Sequence, residues 1–204
     1  MGAIMHPLAT RTTTALLAAL HDVRDPAWEA FDDRYRPILY GFARSWHLPE
    51  ADAMDVAQES LTQFARDYRE GKYQREKGRL SSWLISIARN RIVDTQRSMK
   101  RRGLLSNETA MIDVATEDHL TREWTLSRER AILDQAMALL RSNSRTSDAT
   151  MQAWELVAVK GVPASEAARQ TGLSVDEVYV AKNRVTKRLR TIVEDLTAAW
   201  DDEP

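Results

Sequence analysis

Asp52, Asp55 and Glu59 stand at the i, i+3 and i+7 spacing that puts three carboxylates on one face of a helix, with Gln58 and Thr62 adjoining. Such an array supports three kinds of chemistry. It can solvate a helix face, supply oxygen ligands to a divalent cation, or dock a basic partner helix. A cation site would need ligands from elsewhere to complete its shell, and no partner motif is obvious in the sequence. His6, His21, His47 and His119 show no ligand spacing, and the absence of cysteine excludes disulfides, thiolate zinc sites and a thiol nucleophile. No cofactor is expected.

The opposite charge collects in two stretches. Residues 79–102 carry Arg79, Arg89, Arg91, Arg97, Lys100, Arg101 and Arg102 against one acid, Asp94. Residues 182–190 carry Lys182, Arg184, Lys187, Arg188 and Arg190 with no acid. In a chain of formal net charge -1, this segregation fits contact with a polyanion. On a helical wheel Ser82, Ser86, Arg89, Val93, Arg97 and Lys100 share a face, with Trp83 and Ile87 at its edge. An aromatic beside an arginine-rich face and a loop with Gly71 and Gly78 suits gripping a nucleic acid whose bases are unstacked. A solvated basic helix with one core tryptophan is the plainer reading of the same pattern.

The second basic stretch belongs to a helix-turn-helix pattern. Pro163 opens a short helix, and Gly172 supplies a left-handed turn. Ser174 and Glu177 then form a capping-box spacing. Val178, Ala181, Val185 and Leu189 make the core stripe of the helix that follows. Asp176, Val180, Asn183, Arg184 and Lys187 fall on the other side, with Tyr179 on the flank. An exposed helix of this kind fits a DNA major groove, its N-terminal residues nearest the base edges. A glycine-turned helix pair with a basic face is also a common structural unit.

The elements that must position these residues are helical almost throughout, and no alternating β-branched run predicts a strand. With 204 residues, 29% charged and 43% hydrophobic, the chain suits a soluble protein of one or two domains. Residues 1–24 form an N-terminal segment, its first dozen residues loose, with a short helix over 14–21. Asp25-Pro26 predicts a capped helix start, and Trp28, Phe31, Tyr35, Ile38, Leu39, Phe42 and Trp46 then recur at core spacing, kinked or restarted at Pro37. Leu48-Pro49 opens a helix that runs to about Tyr68 and buries Ala57, Leu61, Phe64 and Tyr68; one over 81–102 buries Leu84, Ala88, Ile92 and Met99. Residues 103–125 lack a clear period and read as a linker. Helices resume at Leu126, with Ile132, Ala136, Leu139 and Leu140 on one stripe and Met151, Trp154, Val157 and Ala158 on another. The expected fold is all-α, two small helical domains over 25–102 and 126–200. The apolar run at 15–20 is too short to span a membrane and lacks a signal peptide's flanks, so a cytoplasmic protein without membrane contact is expected.

Three segments resemble one known family. DAMDVAQE at 52–59 looks like the D-A-E-D-x-x-Q-E motif of bacterial RNA polymerase sigma factors. SWLISIARN at 82–90 resembles the x-W-L-x-x-I-A-R-N run of their extracytoplasmic-function (ECF) subfamily. AARQTGLS at 167–174, with Val178, Arg184 and KRLR at 187–190, is similar to that subfamily's C-terminal helix-turn-helix. The resemblance spans residues 25–197, and it implies a non-enzymatic transcription initiation factor with a region 2 domain, a linker and a region 4 domain. It implies that Asp52, Asp55, Gln58 and Glu59 dock on the coiled coil of the polymerase's largest subunit, with a further contact at the flap. It implies that the 69–80 loop with Arg79, Ser82, Trp83, Ser86, Arg89, Asn90, Arg97 and Lys100 recognises and melts the downstream promoter element, a flipped base lodging near Trp83 and Asn90. Ser174, Asp176, Tyr179, Val180, Asn183, Arg184, Lys187 and Arg188 would read the upstream element. The family is typically held inactive by an anti-sigma factor, which joins the expected partners.

Two departures stand out. Met54 replaces the usual acid of the first motif, and Tyr179, Val180 and Ala181 replace the Lys-Ser-Arg of many relatives, which predicts apolar contact with thymine methyls. A stand-alone helix-turn-helix regulator is the first alternative, but it leaves the acidic helix and the 83–100 helix without a role. A metal-dependent nucleic-acid enzyme built on Asp52, Asp55 and Glu59 is the second, and it lacks the converging carboxylates a two-metal site requires.

Overall fold

The computed structural model describes residues 12–20, 26–104, 111–142 and 146–201, and among them every regular element is a helix. The chain divides into two compact units, one of residues 11–131 and 199–204, the other of 1–10 and 132–198. The expected all-α fold holds. No helix among the described residues is long and apolar enough to cross a membrane.

The first unit opens with α1 (Thr13–Ala19), whose Thr12 side chain accepts from the Ala15 N–H at 3.2 Å. The expected loose start and the Asp25 cap lie outside the described residues. Helix α2 (Ala27–Ser45) buries Phe31, Tyr35, Ile38, Leu39 and Phe42, the stripe that its spacing dictates. It does not restart at Pro37. Pro37 and Asp33, whose carbonyl loses its helical donor there, both lie on the exposed side, so that carbonyl is left open to solvent and not buried unpaired. His47, at φ 64, closes the turn in a left-handed conformation unusual for a residue with a Cβ.

Helix α3 (Glu50–Arg69) packs Val56, Ala57, Leu61 and Phe64 inward, and Phe31 stacks on Phe64 with centroids 4.7 Å apart. Helix α4 (Leu80–Arg101) completes the bundle with Leu84, Ala88, Ile92 and Met99. Gln96 is wholly buried as well. Its amide nitrogen donates to the Trp46 carbonyl at 3.0 Å, and its oxygen accepts the Ile112 N–H at 3.0 Å. That bridge seats a single 3-10 turn, Ile112–Val114, whose Ile112 side chain is fully buried.

Helix α5 (Glu117–Arg141) starts ahead of Leu126, inside the stretch expected to lack a period. Its first half is bound by Leu120 and Trp124, both buried; Trp124 meets Phe42 edge-on at 5.9 Å and His119 lies 4.9 Å from the Trp46 ring. Ser127 comes so near α2 that a Cβ on Gly41 would stand 3.3 Å from it. That explains a glycine in the middle of a helix, where it normally weakens the backbone. The last residues group with this unit too: buried Arg34 lies 5.3 Å over the Trp200 ring, and burial lowers its pKa.

The second unit holds the end of α5, then α6 (Asp148–Trp154), a π-type turn at Glu155–Val159, α7 (Ala164–Thr171) and α8 (Val175–Ala199). Its core is built of small groups, with Ala153, Leu156, Ala167, Ala168, Val178 and Ala181 packed together. Ala158, expected on the buried stripe, is exposed. The wide turn holds an extra residue per loop of backbone, so the apolar register shifts and Leu156 takes the core position instead. Gly172, at φ 72, turns the chain from α7 into α8.

Candidate functional site

Three surfaces carry the residues singled out by the sequence. On α3, Asp55, Gln58 and Glu59 are exposed and Asp52 is half-exposed, so the four share one solvent face near the helix start. Acidic groups at an N-terminus also favour the helix dipole, which helps explain their presence there. The face is braced from both sides. Arg36 of α2 binds Asp32 through two nitrogens, at 2.7 and 2.5 Å, and gives a third hydrogen bond to Gln58 Oε1 at 2.5 Å. Arg91 of α4 pairs with Glu59 at 3.4 Å. Asp52 and Asp55 have no ion pair among the described residues, and Met54 beside them is 56% exposed. Among the described residues no group of three or more His, Asp or Glu is placed to hold a metal ion.

The second surface lies along α4. Arg79, Ser82, Ser86, Asn90, Arg97 and Lys100 are exposed, while Trp83 and Arg89 are half-buried. Between α3 and α4 opens a cavity of about 350 Å³, bounded by Gln63, Asp67, Trp83, Ser86, Asn90 and Asp94. The Trp83 indole N–H is buried without an acceptor among the described residues. Asp67, buried, is held by the Gln63 amide at 2.9 Å and by Lys72 at 3.1 Å, which ties the 69–80 loop to the cavity wall. A ladder of rings extends the tie: Tyr73 contacts Phe64, Tyr68 and Trp83, the last edge-on at 5.9 Å. A concave site with a ring, an amide and unspent donors suits a planar polar heterocycle.

Of the cavity lining, the sequence points to Trp83 and Asn90 as a pocket and to Ser86 as part of the same face, but not to Gln63, Asp67 or Asp94. Asp67 lies four residues beyond Gln63 on one helix face, a spacing visible in the sequence, but nothing there shows that the face meets α4. Nor does the sequence point to Asp113, which the structure brings onto the basic face. Arg89 Nη2 donates to its carbonyl at 2.9 Å and Arg97 Nη2 lies 3.6 Å from its carboxylate.

The third surface is the start of α8 in the other unit. Ser174 and Glu177 form a complete capping box: Glu177 Oε2 accepts from the Ser174 N–H at 2.7 Å and from its hydroxyl at 2.8 Å, and Ser174 Oγ accepts the Glu177 N–H at 3.2 Å. The backbone bond chiefly, then the hydroxyl, lowers the Glu177 pKa. Beyond the cap, Asp176, Asn183, Arg184 and Lys187 are exposed, as are Tyr179 at 53% and Val180 at 63%. Arg188 differs from these neighbours. It is half-buried and gives a hydrogen bond to Thr146 Oγ1 at 3.4 Å.

Residues 31–102, which take in most of α2 and all of α3 and α4, match the family model for sigma-70 region 2. Comparison with curated proteins and with solved structures gave no match.

Proposed function

We propose, with the sigma-70 region 2 match over residues 31–102 as premise, that this chain is a sigma factor of the extracytoplasmic-function type. It binds core RNA polymerase and directs initiation at its own promoters, acting in the cytoplasm without catalysing a reaction. The match is the observation that carries this reading, because it covers both the acidic face of α3 and the basic face of α4.

The residues divide the work by charge and shape. Asp52, Asp55, Gln58 and Glu59 meet a basic coiled coil of the polymerase's largest subunit, with Arg36 and Arg91 orienting Gln58 and Glu59 for that contact. Along α4, Arg79, Arg89, Arg97 and Lys100 hold the backbone of the opened strand, and Ser82 and Ser86 add hydrogen bonds. A base turned out of the stack enters the cavity beside Trp83 and Asn90, its edge meeting the amide. Opening costs least at flexible pyrimidine–purine steps. In α8, Asn183, Arg184, Lys187 and Arg188 serve contact with the duplex upstream, and Tyr179 and Val180 offer apolar surface to thymine methyls. An anti-sigma factor is a further partner that this reading admits.

The test is run-off transcription on genomic fragments with purified core polymerase. Discrete transcripts from shared upstream elements are expected only when the chain is present. Asp55→Arg and Glu59→Arg should each lower transcript yield at least about tenfold, as reversal of a docking charge does, with an unchanged helical circular dichroism spectrum. If neither transcripts nor binding to core polymerase is seen, the reading fails.

A further inference from the structure

We infer that Asp113 sits in a phosphodiester seat formed by Arg89 and Arg97, so that the segment following α4 competes with the DNA strand for the basic face. This rests on the proposed reading of α4 as a DNA-binding surface. Two guanidinium groups about two helical turns apart converge on one acidic residue. Arg89 Nη2 reaches its carbonyl at 2.9 Å, and Arg97 Nη2 its carboxylate at 3.6 Å.

The placement of Asp113 is firm while its grip is weak, and that combination suits a competitor. Next to it Ile112 is fully buried, and its N–H is taken by the wholly buried Gln96, which is itself tied to the Trp46 carbonyl. The backbone at 112 is thus part of the core. The carboxylate is not: the Arg97 and Asp113 side chains are 58% and 35% exposed, and their separation is long for a charge-assisted hydrogen bond. An exposed pair of this kind contributes little stability. An arginine fork takes a phosphodiester's two non-bridging oxygens as well as a carboxylate's, and a strand free to settle against α4 can approach Arg97 closer than a carboxylate held 3.6 Å away. A strand laid along α4 would satisfy both arginines more fully than Asp113 does. Asp113 would then be displaced, and in its absence from the seat binding of weak or wrong strands would rise.

The measurement is fluorescence anisotropy of a labelled single-stranded DNA oligonucleotide of mixed sequence, titrated with the intact chain over a salt series. Asp113→Asn keeps the backbone carbonyl and the Ile112 anchor while removing the charge. It should tighten binding by about two- to fivefold, the range that loss of one exposed pair allows. The salt dependence should also steepen, by roughly 0.7 in log–log slope for one more phosphate contact on a single strand. Arg97→Gln should weaken binding, and in an Arg97→Gln background the gain from Asp113→Asn should vanish. If Arg97→Gln weakens binding but Asp113→Asn leaves it unchanged or weaker, the competition is refuted and the DNA-binding reading of α4 stands. If neither Arg97→Gln nor Arg89→Gln weakens binding, α4 is not the DNA face and the inference falls with that reading.

Discussion

At the scale of single residues, the determining feature is which polar side chains the bundle buries and what each one holds. Gln96 is the clearest case. It interrupts the buried stripe of α4, and its amide satisfies one carbonyl at the end of α2 and one N–H of the turn beyond α4. Replacing it with leucine keeps the volume and strands both backbone groups in a dry site. Gln96→Leu should therefore cost about 1–3 kcal/mol in urea denaturation, while Gln96→Glu would add a buried charge and cost more. Should Gln96→Leu prove neutral, the bridge is not what fixes the turn. The same logic separates Asp67 from the exposed acids of α3. Asp67 is buried and doubly held at the cavity wall, whereas Asp52 and Asp55 are left to solvent.

At the scale of elements, helix ends decide where the exposed faces start. The capping box at Ser174 and Glu177 fixes the first turn of α8, and thereby the direction in which Tyr179 and Val180 project. Ser174→Ala should lower the stability of that helix start by about 1 kcal/mol, seen as faster amide exchange in its first turn. The lowered Glu177 pKa adds a pH dependence whose sign is definite. A carboxylate with a depressed folded pKa contributes stability that is present above its unfolded value, roughly pH 4.3, and lost as the pH falls through the folded value. Exchange protection of the first turn should thus decline below about pH 4 in the native chain and show no such loss in Glu177→Gln, which has no carboxylate to protonate. Helix α5 illustrates the reverse difficulty. Leu120, Trp124, Ser127 and Ala131 are its buried positions in the first unit, at a regular 4-3-4 spacing. Charged residues between them dilute the pattern until it reads as a linker.

Across the whole molecule, the net charge of -1 conceals separated acidic and basic faces. On the proposed reading, contact with DNA releases counterions while the fold itself depends little on long-range charge. Raising monovalent salt from about 50 to about 200 mM should weaken duplex binding by the polymerase complex on the order of a hundredfold, as expected for about four phosphate contacts. The urea midpoint of the chain should move little over the same range. A flat salt response in DNA binding would count against both basic faces acting on phosphate.

What the sequence by itself determined is what depends on local period and residue type. The all-α class, the core stripes of α2, α3 and α4, the cap and glycine turn before α8, and the charge of each exposed face all follow from spacing along a single helix. What only the tertiary structure decided depends on neighbours distant in sequence. Pro37 stays inside α2 because its side of the helix faces water, and Gly41 lets Ser127, far along the chain, pack closely against the helix. Gln63 and Asp67 become cavity walls once α4 lies beside α3, and Asp113 reaches Arg89 and Arg97 because Gln96 holds Ile112 in the core. Periodicity records which face of a helix is buried. It carries no record of which other helix buries it, and the contacts that set the cavity and the competing carboxylate are of that second kind.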